Sequence, residues 1–511
     1  MHLANALLRE LETPNLSTNQ RALLLCRLAK QLERGGDYEG AREALSELWP
    51  TGGERPLTEG LDNQTQGDVL LRVGSITGWI GSARQIEGAQ EIAKDLISES
   101  AGVFEQLGLE ARVGEARSDL ALCYWREGAF DEARVTLEQA LTDIGSSNIE
   151  LKAIALLRKA IVERSSTRLN DALSICNEAT HLFTEIDDHL LIANFHHCFA
   201  NVLNQLSSAE HRKEYIDRAL IEYAAASFHF EEAGHTRYQA CVYINLGFLF
   251  FTLNRFSEAH ENLDRAQVLF TKLKDNPHLA QVDETRSRVL LAEGRIVEAE
   301  KTIRNAVKTL EAGHDALWLT EALTTHGIAL ARLNHPAEAR DALERAIQVA
   351  EQAGDFENAG VAALTIIEEL GNRLSTTEIC EKIDHTGTLL QKTQDMSTLR
   401  RLTTVIFEAL FLVHAIPAPA DWTKFNFRDA VTRYEKHLLK LALKDADGMV
   451  TRASRLLGFK HHQSLIALIT TRHSDLIALR STKRTRRHHL MSHTKHGKKQ
   501  PKSSNLKESP K

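Results

Sequence analysis

Residues 445–473 read DADGMVTRASRLLGFKHHQSLIALITTRH. Lys460, His461, His462, Gln463 and Ser464 stand in one run of donors and acceptors suited to base edges in a DNA groove. Glutamine can pair twice with adenine, and lysine reaches the guanine acceptors. Thr451, Arg452 and Arg455 suit phosphate contacts, which set register and carry no sequence information. Residues 480–511 then hold eleven Lys and Arg against one acid. Lys483, Arg484, Arg486 and Arg487 read there as a basic arm that would lie along or in a groove. So polar and charged a segment is expected to be disordered and drawn to phosphates, or to act only as a solubilising tail.

Catalytic patterns do not accompany these residues. No Walker loop, HExxH, GxSxG or dinucleotide fingerprint occurs. His196–His197 and His488–His489 are adjacent pairs, not the i, i+4 spacing that puts two ligands on one helical face. Cys26, Cys123, Cys176, Cys198, Cys241 and Cys380 form no CxxC. They read as small buried thiols in a reducing compartment. The expectation is therefore no metal, no cofactor and no enzyme.

The candidate DNA-reading residues need helices to present them. RDAVTRYEKHLLKLALKDA carries Val431, Tyr434, Leu438, Leu441 and Leu443, an apolar stripe expected to be buried. Asp447-Gly448 suits a left-handed helix end. MVTRASRLL follows with Val450, Ala453 and Leu457 on one side. Gly458 permits a tight turn. HHQSLIALITTRH would bury Leu465 and Leu468 or Ile469. Together they predict a trihelical helix-turn-helix over residues 421–479.

The run RYEKHLLKLALKDADGMVTRASRLLGF resembles the Fis-type helix-turn-helix that ends many bacterial enhancer-binding activators. Gly448, Val450, Thr451, Ala453, Leu457 and Gly458 fit that pattern directly, and Ala442 and Leu443 fit with a one-residue offset. Ser454 replaces the second alanine. Gly458 and Leu465 are seven residues apart where the family usually has six, so the resemblance does not assign individual base contacts. It implies binding to double-stranded DNA. The family's ATPase domain is missing, so ATP-driven activation is not implied.

The remainder is a different kind of chain. Residues 421–511 carry a net charge of about +14 and residues 1–420 about −21. An acidic body repels nucleic acid, so any polyanion contact belongs to the basic end. No proline falls between Pro56 and Pro277, and the good helix formers Ala, Leu, Glu and Arg dominate there. The N-terminal stretch lacks a basic segment followed by a long apolar run, so no signal peptide is expected. TTVIFEALFLVHA is interrupted by Glu408 and too short to span a bilayer. A cytoplasmic protein with no membrane contact is expected.

Three segments beginning at Tyr243, Asp283 and Leu323 repeat in register. Small residues recur at Gly247, Ser287 and Gly327, and alanines at Ala259, Ala299 and Ala339 and again at Ala266, Ala306 and Ala346. Asp275, Asp315, Asp355 and Asp395 close successive units. Small side chains at such points let antiparallel helices approach closely, and residues seven apart share a helical face. This resembles the tetratricopeptide repeat: Tyr243, Leu246, Gly247, Phe250, Ala259, Leu263 and Ala266 follow that family's order, as do Leu120, Ala121, Tyr124, Ala133, Leu137 and Ala140. The unit here is about six residues longer than the family's, as in the sensor solenoids of some bacterial regulators. Further anchors at Ala41, Ala89, Ala172, Ala219 and Ile379 bring the expectation to about nine helix pairs within residues 1–415. Residues 50–68, PTGGERPLTEGLDNQTQGD, read as a loop insertion.

The fold expected is all-α: a right-handed superhelical solenoid, a small helix-turn-helix domain, then the basic tail. The family geometry implies a groove lined by the first helix of each pair. Ile244, Phe248, Phe251, Glu284, Arg288 and Leu291 are its candidate lining, for a protein, peptide or small ligand. Ordinary helix packing is the competing explanation of the same stripe. Two functional readings follow. One is a DNA-binding transcriptional regulator whose solenoid senses a partner, acting as a homodimer on two half-sites or else binding weakly. The other is an interaction scaffold whose C-terminal bundle and tail bind a protein or RNA without sequence preference.

Overall fold

The computed structural model describes residues 2–479 apart from 14, 51–54, 85, 147, 211–212, 314, 392, 394 and 415–425. Lys483, Arg484, Arg486 and Arg487 lie outside the described residues. The chain divides into Met1–His414 and Ala415–Lys511.

Among the described residues of the first unit, α1 (His2–Leu11) precedes nine helix pairs: α2 (Thr18–Arg34) with α3 (Tyr38–Ala44), α4 (Asn63–Ala83) with α5 (Ala89–Gln106), α6 (Glu110–Arg126) with α7 (Phe130–Ile144), α8 (Ile149–Ser165) with α9 (Leu169–Phe183), α10 (His189–Glu210) with α11 (Lys213–Glu232), α12 (Thr236–Thr252) with α13 (Phe256–Leu273), α14 (Asn276–Ala292) with α15 (Ile296–Glu311), α16 (Ala316–Arg332) with α17 (Pro336–Gln352), and α18 (Phe356–Leu370) with α19 (Thr376–Leu389). The helix α20 (Met396–His414) follows. Among the described residues there is no strand. The architecture is an all-α, tetratricopeptide-like solenoid.

Sequence explains the pairing locally. Each second helix carries an anchor with almost no exposure: Ala41, Ala89, Ala133, Ala172, Ala219, Ala259, Ala299, Ala339 and Ile379. The facing first helix must be equally slim. A Cβ on Gly114 would stand 2.7 Å from the Ala140 carbonyl oxygen, and one on Gly327 would stand 2.4 Å from Leu343 Cγ. The recurrent aspartates are helix caps: Asp275, Asp315 and Asp355 accept the backbone N–H of His278, Trp318 and Asn358. Asp62 and Asn148 do the same for α4 and α8. Each cap satisfies a backbone donor that a helix start would otherwise orphan.

First helices also pack on first helices. The succession runs from α2 through α4, α6 and α8 to α10, and again from α12 through α14, α16 and α18 to α20. They form the inner layer, and the second helices fan around it. The inner layer curls until its turns meet. Gly36 adopts a left-handed φ of 76°, and a Cβ there would stand 2.3 Å from the Tyr238 hydroxyl. Gly35 lies against His235 in the same way. The first pair thus touches the start of the sixth.

Two expectations need correction. The insertion read at 50–68 is shorter, because α4 begins at Asn63. Its polar DNQTQGD start is a capped first turn, and Gly67 is buried with room only for the Phe104 ring beside it. In the second unit, α21 (Phe427–Asp445), α22 (Val450–Leu456) and α23 (His462–Arg472) are followed by a 3-10 turn, Ser474–Leu479. Four members of the α21 stripe face outward, Val431, Tyr434, Leu438 and Leu441 at 39–47% exposure, whereas Leu443 is buried as expected. Leu439, Ala442, Leu443 and Ala446 instead meet Ala453, Leu465, Ile469 and Leu476 in the core. Helix α21 has two apolar faces, and the one carrying more large residues is not the one that packs.

Candidate functional site

The inner layer of the first five pairs lines a partly open cavity of about 130 Å³. Its floor is the Arg72 guanidinium, at 4% exposure. Nη1 of Arg72 donates to Glu33 at 2.8 Å, and Nη2 to Asp119 at 3.0 Å and Glu115 at 3.3 Å. Arg158 donates to Asp119 and, at 2.9 Å, to the Ser118 hydroxyl. Lys30 donates to Glu115 at 2.7 Å. Arg112 bridges Glu115 and Asp68. Buried charges survive only when paired in this manner.

The electrostatics follow from that packing. Burial pushes the Asp119 carboxyl up, but Arg158 and Arg72 overcome it and hold Asp119 below the usual carboxylate range. Burial, reinforced by Arg72 and Arg34, pulls the Lys30 ammonium down to about 7. One wall of the cavity is aliphatic, from Leu151 and Ile154 on α8 and Leu190 and Leu191 on α10. The motifs and repeat pattern of the sequence single out none of these residues. A signal existed for Arg72, the one charge inside the apolar run VLLRVGSITGWIG.

The six groove residues read from sequence lie further along and divide between two roles. Ile244 and Leu291 are core residues, at 5% and 8% exposure. Glu284 is also buried, accepting from Arg288 and, at 2.7 Å, from the Thr325 hydroxyl. Phe248 and Phe251 are half-buried neighbours with ring centroids 5.8 Å apart. Arg288 stands 5.9 Å from the Phe248 centroid. Glu321 faces the Arg288–Glu284 pair, and burial raises its carboxyl to about 7. Phe248, Phe251 and Arg288 are thus part-exposed, and the other three are packed in the core.

His196 and His197 likewise take separate places. His197 meets Asn245 at 2.8 Å, and burial pulls it down to about 4. His196 pairs with Glu222 at 2.6 Å. Among the described residues no cluster of side chains suits a metal ion, and no helix is long and apolar enough to cross a membrane.

In the second unit Thr451, Arg452, Arg455, Lys460, His461, His462, Gln463 and Ser464 are all exposed. Gly458 has the left-handed φ of 72° that the turn between α22 and α23 requires. Lys460 and His461 precede α23, and His462, Gln463 and Ser464 form its first turn. Arg452 lies 3.6 Å from Asp447. Arg455 and Lys460 have no ion pair among the described residues.

The tetratricopeptide repeat family matches this chain at residues 114–139 and 320–345. No curated protein matches the chain in sequence. Among solved structures, a Rap protein complexed with competence and sporulation factor is 14% identical, with a TM-score of 0.47 over 77% of this chain and 99% of that one. Yeast Tom70 is 14% identical, with a TM-score of 0.45 over 82% of this chain and 86% of its own. The apo quorum sensor NprR from B. thuringiensis is 12% identical, with a TM-score of 0.45 over 68% and 92%. These are similarities of fold alone.

Proposed function

We propose that this protein is a ligand-responsive DNA-binding regulator. Its solenoid takes a peptide or small ligand on the inner layer, and its C-terminal three-helix unit reads duplex DNA as a Fis-type helix-turn-helix. The observation that carries the DNA half is the placement of Thr451, Arg452, Arg455 and the 460–464 run, exposed around one glycine turn of a packed three-helix unit. Phosphate contacts from α22 would set register, and the first turn of α23 would meet base edges. The basic residues 480–511 add affinity through counterion release. The second reading, a scaffold binding a protein partner, draws support from the outward Tyr434 and Leu438 face of α21.

The test is equilibrium binding of the full chain to a pool of random duplexes, with and without residues 480–511, across salt concentrations. Sequences still enriched without the tail, and no longer enriched by Gln463→Ala, support a sequence reader. Equal binding of every duplex that disappears with the tail leaves only an electrostatic arm and favours the scaffold.

A further inference from the structure

We infer that the cavity above Arg72 is a binding site for a carboxylate carried on a short aliphatic body. This deepens the ligand-sensing half of the proposed function and rests on it. The carboxylates around the cavity are already engaged. Glu115 accepts from Lys30, Arg72 and Arg112. Asp119 accepts from Arg72, Ser75 and Arg158. Asp188 accepts from the backbone N–H groups of Leu190 and Leu191 and, at a stretched 3.4 Å, from Arg34.

Donors are left over. Lys30 spends one N–H on Glu115 and keeps its others, since an ammonium carries three. Arg158 engages only Nη1, so Nε and Nη2 remain. Among the described residues the Asn194 amide, which lines the cavity, has no hydrogen-bond partner. The side chains of Lys30 and Arg158 are 30% and 17% exposed, so both are reachable and neither is fully solvated. A site whose carboxylates are engaged while ammonium and guanidinium N–H groups are left over favours an anion, and a carboxylate matches a guanidinium and an ammonium together. The wall of Leu151, Ile154, Leu190 and Leu191 requires an aliphatic body beside that anion. A cavity of about 130 Å³ is well below the ~300 Å³ at which drug-sized pockets begin. It suits one residue's worth of ligand.

Two sources offer this chemistry: the free C-terminal residue of a peptide, and a free branched aliphatic acid. Calorimetry on the full chain would compare N-acetyl-alanyl-alanyl-leucine, the same peptide as its C-terminal amide, and 4-methylvalerate. The free acid is expected to bind about tenfold or more tightly than the amide, because the amide forfeits one charge-assisted hydrogen bond. Comparable binding of 4-methylvalerate identifies a small acid as the source, and binding of the peptide alone identifies a C-terminus. Lys30→Met should weaken the free acid about tenfold, and Asn194→Asp, which adds a carboxylate without touching the ion network, should weaken it further. Affinity should also fall from pH 6 to pH 8 with proton uptake on binding, because the anion recharges Lys30. The charged groups facing that amine are Glu33 and Arg34 on α2, Arg72 on α4, Arg112, Glu115 and Asp119 on α6, Arg158 on α8, and Asp188 before α10. Thermal melting of each variant separates a failure to bind from a failure to fold. Equal binding of acid and amide, or no binding of either by a folded chain, overturns the site. Sequence-selective DNA binding by the same preparation would then leave the regulator reading standing.

Discussion

Replacing Glu321 by glutamine should stabilise the solenoid above neutral pH and leave it unchanged in acid. Burial raises this carboxyl from 4.5 to about 7, with Glu284, Asp355 and Asp315 adding to the rise and Arg288 opposing it. Between those values the folded chain holds a proton that the unfolded chain has released. Stability therefore falls as pH rises through that window, and the full penalty is present above about 7. Each pKa unit is worth about 1.4 kcal/mol, so the shift sets an upper bound of about 3 kcal/mol. Glu321 is half-buried, and solvent screening brings the expectation to about 1–2 kcal/mol. Glutamine keeps the shape and the hydrogen-bonding groups but cannot ionise. Urea unfolding followed by circular dichroism at several pH values between 4.5 and 8 would measure the difference. A gain that grows with pH and levels off above 7 is expected. A gain or loss of constant size across the range would mean that desolvation is not the cause and only packing had changed.

Further perturbations probe other parts of the molecule. Arg72→Met removes the donor shared by Glu33, Glu115 and Asp119 in the inner layer and should cost about 3–5 kcal/mol in urea unfolding. Gly114→Ala drives a methyl into the Ala140 carbonyl and should cost about 1–3 kcal/mol. Gly102→Ala on α5 meets open space and should gain up to about 1 kcal/mol; the contrast in melting temperature tests whether close approach is what demands the first glycine. Removing residues 480–511 should flatten the salt dependence of DNA affinity, by about 0.9 in log–log slope for each phosphate that the tail had neutralised.

The solenoid was legible in the sequence because its constraints are steric and local. Where a larger side chain would press into the partner helix the chain carries Gly or Ser, and the partner carries Ala, so the register shows in one sequence at Gly247, Ser287 and Gly327. Asp275, Asp315 and Asp355 were visible for the same reason, although their task as helix caps emerges only with the fold. The cavity was not legible. Its ion network joins residues of α2, α4, α6 and α8 that meet only after the inner layer curls, and each charge alone reads as a solvated face. The α21 error has a related origin: an apolar stripe shows that a face wants cover without showing which of two faces receives it. In the groove, Ile244 and Glu284 obeyed the expected spacing but were already occupied by neighbouring helices.

The meeting of Gly35 and Gly36 with His235 and Tyr238 has a consequence for how such a chain can vary. In an open array of repeats, units touch only their neighbours, so lengthening or shortening the array changes little elsewhere. Here the curl returns the first pair to the sixth, and the left-handed glycine leaves room for one particular tyrosine. Insert or delete a pair between them and another surface arrives at Gly36, with Arg34 and the cavity wall displaced along with it. The meeting point therefore counts repeats. A chain that grew by duplicating units elsewhere could not have done so inside this turn without rebuilding its inner site.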